Sequence, residues 1–187
     1  MLNPITQKFD FLEGNAALVP PGLASALNIY VQPLMLERYN QGKIFLAIGA
    51  KHGGRLMLQI NVHATEIPAL VRWEEENKNS NSQKVPKKRP INKKRVEDIK
   101  NYIRERAQAG KKWILGTLTA NVDPAAVEYQ RIWEDFYMVF IPNCTRVGII
   151  DGQHRTRAIV ELVDSDPDLI SQMSFPISLI LEGDLKQ

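Results

Sequence analysis

Cysteine is nearly absent: Cys144 is the single one in 187 residues. With no partner inside the chain it forms no intrachain disulfide, which fits a reducing compartment and a cytoplasmic location. Long apolar runs are missing too. None approaches the roughly 18 residues that a spanning helix needs, so a membrane is not an expected partner. The N-terminus, Met1-Leu2-Asn3-Pro4-Ile5-Thr6, lacks a basic stretch followed by an apolar core, and no export signal is visible. There is no Walker-type glycine loop and no Ser or Cys nucleophile beside a recognisable base. His52 and His63 lack partners at metal-ligand spacing, so no zinc site is expected. No internal repeat is found. What remains is ordinary globular material, 44% hydrophobic and 24% charged, long enough for one domain with a real core. The net charge, 24 − 21 = +3, is too small to identify a nucleic-acid partner.

Where the charge sits is more informative. Glu74-Glu75-Glu76 is followed by Asn77-Lys78-Asn79-Ser80-Asn81-Ser82-Gln83, which has no apolar residue. Such a stretch buries too little to offset its ordering entropy, so an exposed loop is expected over 76–90. Lys84, Lys87, Lys88, Arg89, Lys93, Lys94 and Arg95 then place seven cations within twelve residues, with no acid among them. Cations at this density gain affinity for a phosphate backbone by releasing counterions. The competing readings are a solvated charge run and a nuclear-import signal.

Residues 1–75 read as a β-rich segment of the same domain. Pro20-Pro21-Gly22 marks a turn, and Lys43–Ile48 is a strand. Gly53-Gly54 leads into a second strand with Leu56, Leu58, Ile60 and Val62 on one face, which predicts a hairpin. Asn92–Ala109 reads as a helix capped by Asn92, with Val96, Ile99, Ile103 and Ala107 on its inner face and Gly110 after its end. Further strands are predicted over 113–118, 137–141, 146–150 and 175–181. Helices are predicted from Asp123-Pro124 to about Trp133, from Gln153 to Val163, and after Asp166-Pro167. Trp113 reads as core, although it, Trp73 and Tyr102 are also able to stack on bases. Glu182–Gln187 looks like a helix that is cut off, as if the sequence were a piece of a longer chain.

The segment Ile150-Asp151-Gly152-Gln153-His154-Arg155-Thr156-Arg157 is a strand end, a tight turn and a helix start. Unpaired N–H groups and the helix dipole make such a place receptive to anions. Asp151 is placed to cap the first turn, and Gly152 lets a phosphate approach the backbone. Arg155 supplies a planar fork, and Arg157 a second cation. His154 is suited to donate a hydrogen bond or move a proton, and Gln153 to orient a ligand or a water. The plainer alternative is a structural turn in which Arg155 pairs with Asp151. For His154 taken alone, a structural role is the preferred reading.

Asp151-Gly152-Gln153-His154-Arg155 is the signature of the DGQHR-domain family, which this chain resembles from about Lys87 to Gln187. The family includes DndB-like proteins associated with DNA phosphorothioate modification. Gly152-Gln153-His154-Arg155-Thr156-Arg157-Ala158 is also similar to the Gly-Glu-Arg-Arg-x-Arg-Ala box of ParB-type domains. Arg89-Pro90-Ile91-Asn92 with its helix resembles the opening of the ParB and sulfiredoxin fold. Gln153 stands where the ParB box has Glu and sulfiredoxin its catalytic Cys, so sulfinic-acid reduction is not expected and metal-assisted hydrolysis is weakened.

The resemblance implies an α/β (α+β) domain with a mixed sheet and flanking helices, its core running over 91–187. It implies a nucleotide, with ATP the first candidate and Mg2+ its companion, or a nucleic-acid phosphate, held by Gly152, His154, Arg155 and Arg157. Asp151, Gln153 and His154 are the catalytic candidates if that nucleotide is hydrolysed. Lys87, Lys88, Arg89, Lys93, Lys94 and Arg95 are the expected DNA contacts. The expected partners are DNA, a nucleotide, other DNA-modification proteins and a second copy of the chain. The expected role is a bacterial DNA-binding regulator or accessory factor. The alternatives are a ParB-like nuclease or nucleotide hydrolase, and an interaction module whose turn is structural.

Overall fold

The structure, a computed structural model, describes residues 38, 40–72 and 91–182. The loop expected over 76–90 lies outside the described residues, and so do Trp73, Lys84, Lys87, Lys88, Arg89 and the Pro20-Pro21-Gly22 turn.

The first two strands, β1 (Gly42–His52) and β2 (Arg55–His63), form the expected hairpin. Gly53 and Gly54 both take positive φ, 56° and 81°, the requirement of a turn whose twist matches its strands. Leu58, Ile60 and Val62 are buried while Gln59 and Asn61 between them are exposed. A short turn over Ala64–Glu66, helix α1 (Ile67–Leu70) and strand β3 (Val71–Arg72) follow.

The second half adds helix α2 (Lys93–Gln108) and strands β4 (Leu118–Val122), β5 (Glu128–Trp133), β6 (Phe136–Pro142) and β7 (Val147–Asp151). Helices α3 (Gln153–Ser165) and α4 (Pro167–Ile170) and strand β8 (Ser174–Leu181) complete it. All eight strands join one mixed sheet in the order β3-β7-β4-β8-β2-β1-β6-β5. β3 with β7 and β4 with β8 are parallel pairs, and the other pairs are antiparallel. This is the expected α+β class with a mixed sheet.

One buried cluster holds sheet and helices together. Ile103 of α2, Ile159 and Leu162 of α3 and Ile170 of α4 join Leu58, Ile60, Leu118, Ala120, Ile177 and Leu179. Burying each large aliphatic side chain is worth about 1.5–3 kcal/mol. As the periodicity predicts, Val96 and Ile103 of α2 and Ala158, Ile159 and Leu162 of α3 are buried. The seating of α3 on the sheet fixes where its first turn, the DGQHR segment, stands.

Three local expectations are corrected. The strand predicted from Trp113 begins only at Leu118, because pairing starts at Leu118↔Ile177 and Thr119↔Asp151 and earlier residues have no strand beside them. Trp113 is half-buried against Phe175, with ring centroids 6.5 Å apart, while Ile114 is exposed. The helix predicted from Asp123-Pro124 to Trp133 is a single turn, Pro124–Ala126, followed by β5. Asp123 does cap that turn, its Oδ1 accepting from the Ala125 N–H at 2.9 Å. The aromatic and β-branched residues beyond it favour pairing with β6 across the Glu134-Asp135 turn. Asp166 stands before Pro167 as predicted, but its carboxylate does not cap α4 and turns instead to Arg104 and Ser165.

Candidate functional site

Strand β7 ends at Asp151, and Gly152 turns the chain into α3 with φ 89°. That left-handed conformation disfavours any side chain. A Cβ here would also lie 2.6 Å from Leu118 Cδ2. The Gly152 carbonyl accepts from the Thr156 N–H at 2.8 Å and from Thr156 Oγ1 at 3.0 Å. Thr156 is fully buried, and these two bonds give its N–H and its hydroxyl a partner. Among the described residues, no acceptor stands on the main-chain N–H groups of Gln153, His154 or Arg155. The expected cap by Asp151 is not made. Its carboxylate accepts from Arg155 Nη2 at 2.8 Å instead, a pair between i and i+4. A guanidinium offers a stronger, charge-assisted bond than a main-chain N–H. The first turn of α3 therefore keeps its donors open, and it contains no acid.

Arg155 folds back across the turn. A Cβ on Gly152 would meet its Nη2 at 3.1 Å and Nε at 3.3 Å, and one on Gly116 would meet its Nη1 at 2.6 Å. The guanidinium thus occupies the space of two absent side-chain carbons. Asp151 is 74% exposed and Arg155 25%.

His154 has a different attachment. The main-chain N–H of Asn92 donates to its Nε2 at 3.0 Å. The ring proton of the neutral imidazole then belongs on Nδ1, which is left as a donor. Gln153 Nε2 donates to the Ile149 carbonyl at 3.3 Å and braces the turn from the strand side, with its Oε1 left as an acceptor. Arg157 does not share the Arg155 notch. Two residues apart on a helix do not face each other, and Arg157 Nε donates to Glu161 at 2.8 Å.

Asn92 is also the N-cap of α2, its Oδ1 accepting from the Arg95 N–H at 3.3 Å. His154 thereby joins the N-terminal ends of two helices. The first turn of α2 carries Lys93, Lys94 and Arg95 and no acid. All three are exposed, and none makes an ion pair among the described residues. A helix of ordinary design places acids there, because cations oppose the partial positive charge of that end. Two positive dipole ends, three uncommitted cations and the Arg155 fork are gathered at one place. Such an arrangement is relieved by an anion.

Away from this end, α2 and α3 are tied by ion pairs. Lys100 Nζ reaches Glu97 at 2.9 Å and Glu161 at 3.1 Å. Arg104 holds Asp166 at 2.7 Å. The hydrogen bond from Lys100 holds Glu97 below the usual carboxylate range, and that from Arg104, with Ser165, does the same for Asp166. For Glu161, burial pushes upward, but the bonds from Arg157 and Lys100 outweigh it and the net direction is down. Lys100 is raised, chiefly by its bond to Glu97. This belt links the same two helices that the Asn92–His154 bond joins at their N-terminal ends.

No cluster of three or more His, Cys, Asp or Glu side chains able to hold a metal occurs among the described residues. Sequence reasoning missed the Asn92–His154 bond and the part played by Gly116. Both join positions far apart in the chain and leave no periodic signal.

A family model described as DndB, DNA-sulfur modification-associated, matches residues 45–187, from within β1 through the whole motif. No curated protein matches the chain, and no solved structure does. The likeness to ParB and sulfiredoxin, drawn from the motif and from Arg89-Pro90-Ile91-Asn92 with its helix, is not confirmed by these comparisons.

Proposed function

The chain belongs to the DndB family of DNA-sulfur modification-associated proteins, and from that premise we propose that it is a DNA-contacting regulator or accessory factor of such a system. In this reading Lys93, Lys94 and Arg95, with Lys87, Lys88 and Arg89 ahead of them, lie along the DNA backbone. The turn at Gly152 takes a phosphate, that of a nucleotide such as ATP or of the nucleic acid itself. The N–H groups of Gln153, His154 and Arg155, the Arg155 fork and His154 Nδ1 are its donors. A Mg2+ bound with a nucleotide would be held by Asp151 and would offset phosphate charge.

The observation that supports this reading best is the 3.0 Å bond from Asn92 to His154. It sets the cationic first turn of α2 against the open first turn of α3. Association with a polyanion offsets the repulsion that both helix ends otherwise carry. No helix among the described residues is long and apolar enough to cross a membrane, and the charge at this surface suits nucleic acid.

The test is a DNA-binding titration at several salt concentrations, with wild type and the triple substitution Lys93→Gln, Lys94→Gln and Arg95→Gln. Three lost phosphate contacts should weaken binding across DNA sequences and lower the slope of log affinity against log salt by about 2–3. An unchanged slope removes these cations from the DNA contact. In parallel, a thermal-shift series with nucleotides and Mg2+ should show saturable stabilisation of wild type that is lost in Arg155→Ala. A flat response in wild type sinks the phosphate part.

A further inference from the structure

Gly116 has no conformational reason to be glycine. Among the described residues, the positive-φ glycines are Gly53, Gly54, Gly110 and Gly152, and Gly116 is not one of them. It is exposed. Among the described residues, a Cβ at this position would have one side chain within 4 Å: Arg155, with Nη1 at 2.6 Å and Cζ at 3.9 Å. Among the described residues, no other side chain accounts for the missing methyl group there.

We propose that Gly116 is the positioning residue of the anion site, leaving the space in which the Arg155 guanidinium lies against the backbone and over the Gly152 turn. Arg155 is then held from three sides. Asp151 accepts from Nη2, the Gly152 backbone lies under Nη2 and Nε, and Gly116 backs Nη1. An arginine side chain loses rotamer freedom when it is fixed. Bracing it in advance moves that loss from the binding step into folding, which is how preorganised sites gain affinity. The consequence for binding rests on the phosphate reading above; the placement of the guanidinium does not.

The test uses Gly116→Ala in the full chain. The clash is with the far end of one flexible side chain, so the variant should fold and melt close to wild type while Arg155 swings aside. Three measurements decide the matter. The first is the 15N–1H resonance of Arg155 Nε–H, expected to shift or broaden. The second is the affinity for inorganic phosphate and for ATP, expected to fall about tenfold, the worth of one charge-assisted hydrogen bond. The third is the same substitution in an Arg155→Ala background, where its effect should vanish. An unmoved Nε–H resonance overturns the proposal. An equal effect of Gly116→Ala with and without Arg155 also overturns it, since that marks a purely structural glycine. Should wild type bind neither anion while the resonance still moves, the placement stands and the phosphate reading of the site falls. Should Gly116→Ala fail to fold while the double variant with Arg155→Ala folds, the clash with Arg155 is demonstrated directly.

Discussion

The main-chain N–H of Asn92 donates to Nε2 of His154 at 3.0 Å, across 62 positions of chain. One residue opens the basic helix and the other belongs to the DGQHR turn, so a shift in either is felt by both. His154→Phe keeps a ring and removes the acceptor. It should lower stability by about 0.5–1.5 kcal/mol in urea unfolding, the ordinary worth of one hydrogen bond. Amide exchange at Asn92 should accelerate while that of Ile103, deep in the same helix, stays slow. Unchanged exchange at Asn92 contradicts the bond.

Gly152→Ala should be the more damaging change. It places a Cβ at φ 89° and 2.6 Å from Leu118 Cδ2. Strain in that region costs about 1–3 kcal/mol before any clash is counted. The urea midpoint should fall accordingly, and by more than for Gly116→Ala. A stability equal to wild type means that the turn is not left-handed.

Asp151→Asn separates the two chemical readings of the motif. The pair with Arg155 is largely open to water on the Asp151 side, and an exposed pair contributes about 0–1 kcal/mol, so melting should scarcely change. The amide oxygen of Asn keeps an acceptor for Arg155 Nη2, while a negative charge leaves the site. Inorganic phosphate should therefore bind at least as tightly as to wild type. A Mg2+-dependent nucleotide turnover in wild type that disappears in this variant contradicts the regulator reading and favours the hydrolase.

The belt between α2 and α3 predicts an acid limb. Glu97, Glu161 and Asp166 are held below the usual carboxylate range in the fold. Each contributes stability above its unfolded pKa and loses it as pH falls through the folded one. Melting temperature should thus drop as pH goes below about 4, near the ordinary carboxylate range. Asp166→Asn should flatten that limb, and high salt should shrink it, because these groups lie near the surface. Lys100, raised by Glu97, gives the opposite sign. Its share persists up to its usual range and is lost only at strongly alkaline pH. A limb of equal steepness in Asp166→Asn excludes this residue as a cause.

Local rules carried most of what was legible. Asn92 caps and Gly110 ends α2 because capping is decided within a few residues. The Gly53-Gly54 turn and the alternation in β2 are likewise local. The strand-to-helix turn at Gly152 was legible because no other residue fits its backbone at so little strain. The failures are of two kinds. Over 113–117 and over Glu128–Trp133, a partner strand decides whether the stretch is a strand, and a partner is invisible from one stretch of sequence. Asp151 and Asp166 occupy cap-like positions, yet each carboxylate is taken by an arginine, Arg155 in one case and Arg104 in the other. Charge-assisted bonds outcompete main-chain caps wherever a guanidinium is within reach.

The sequence alone therefore determined the class of fold, the turn, and the residue types able to grip an anion, because these follow from backbone preference and side-chain chemistry. The meeting of Asn92 with His154 and of Gly116 with Arg155 was decided only in three dimensions. Both depend on how α3 seats on the sheet and how α2 packs along it. That seating is set by the burial of Ile159, Leu162 and Ile103, a nondirectional force that sums over the whole core.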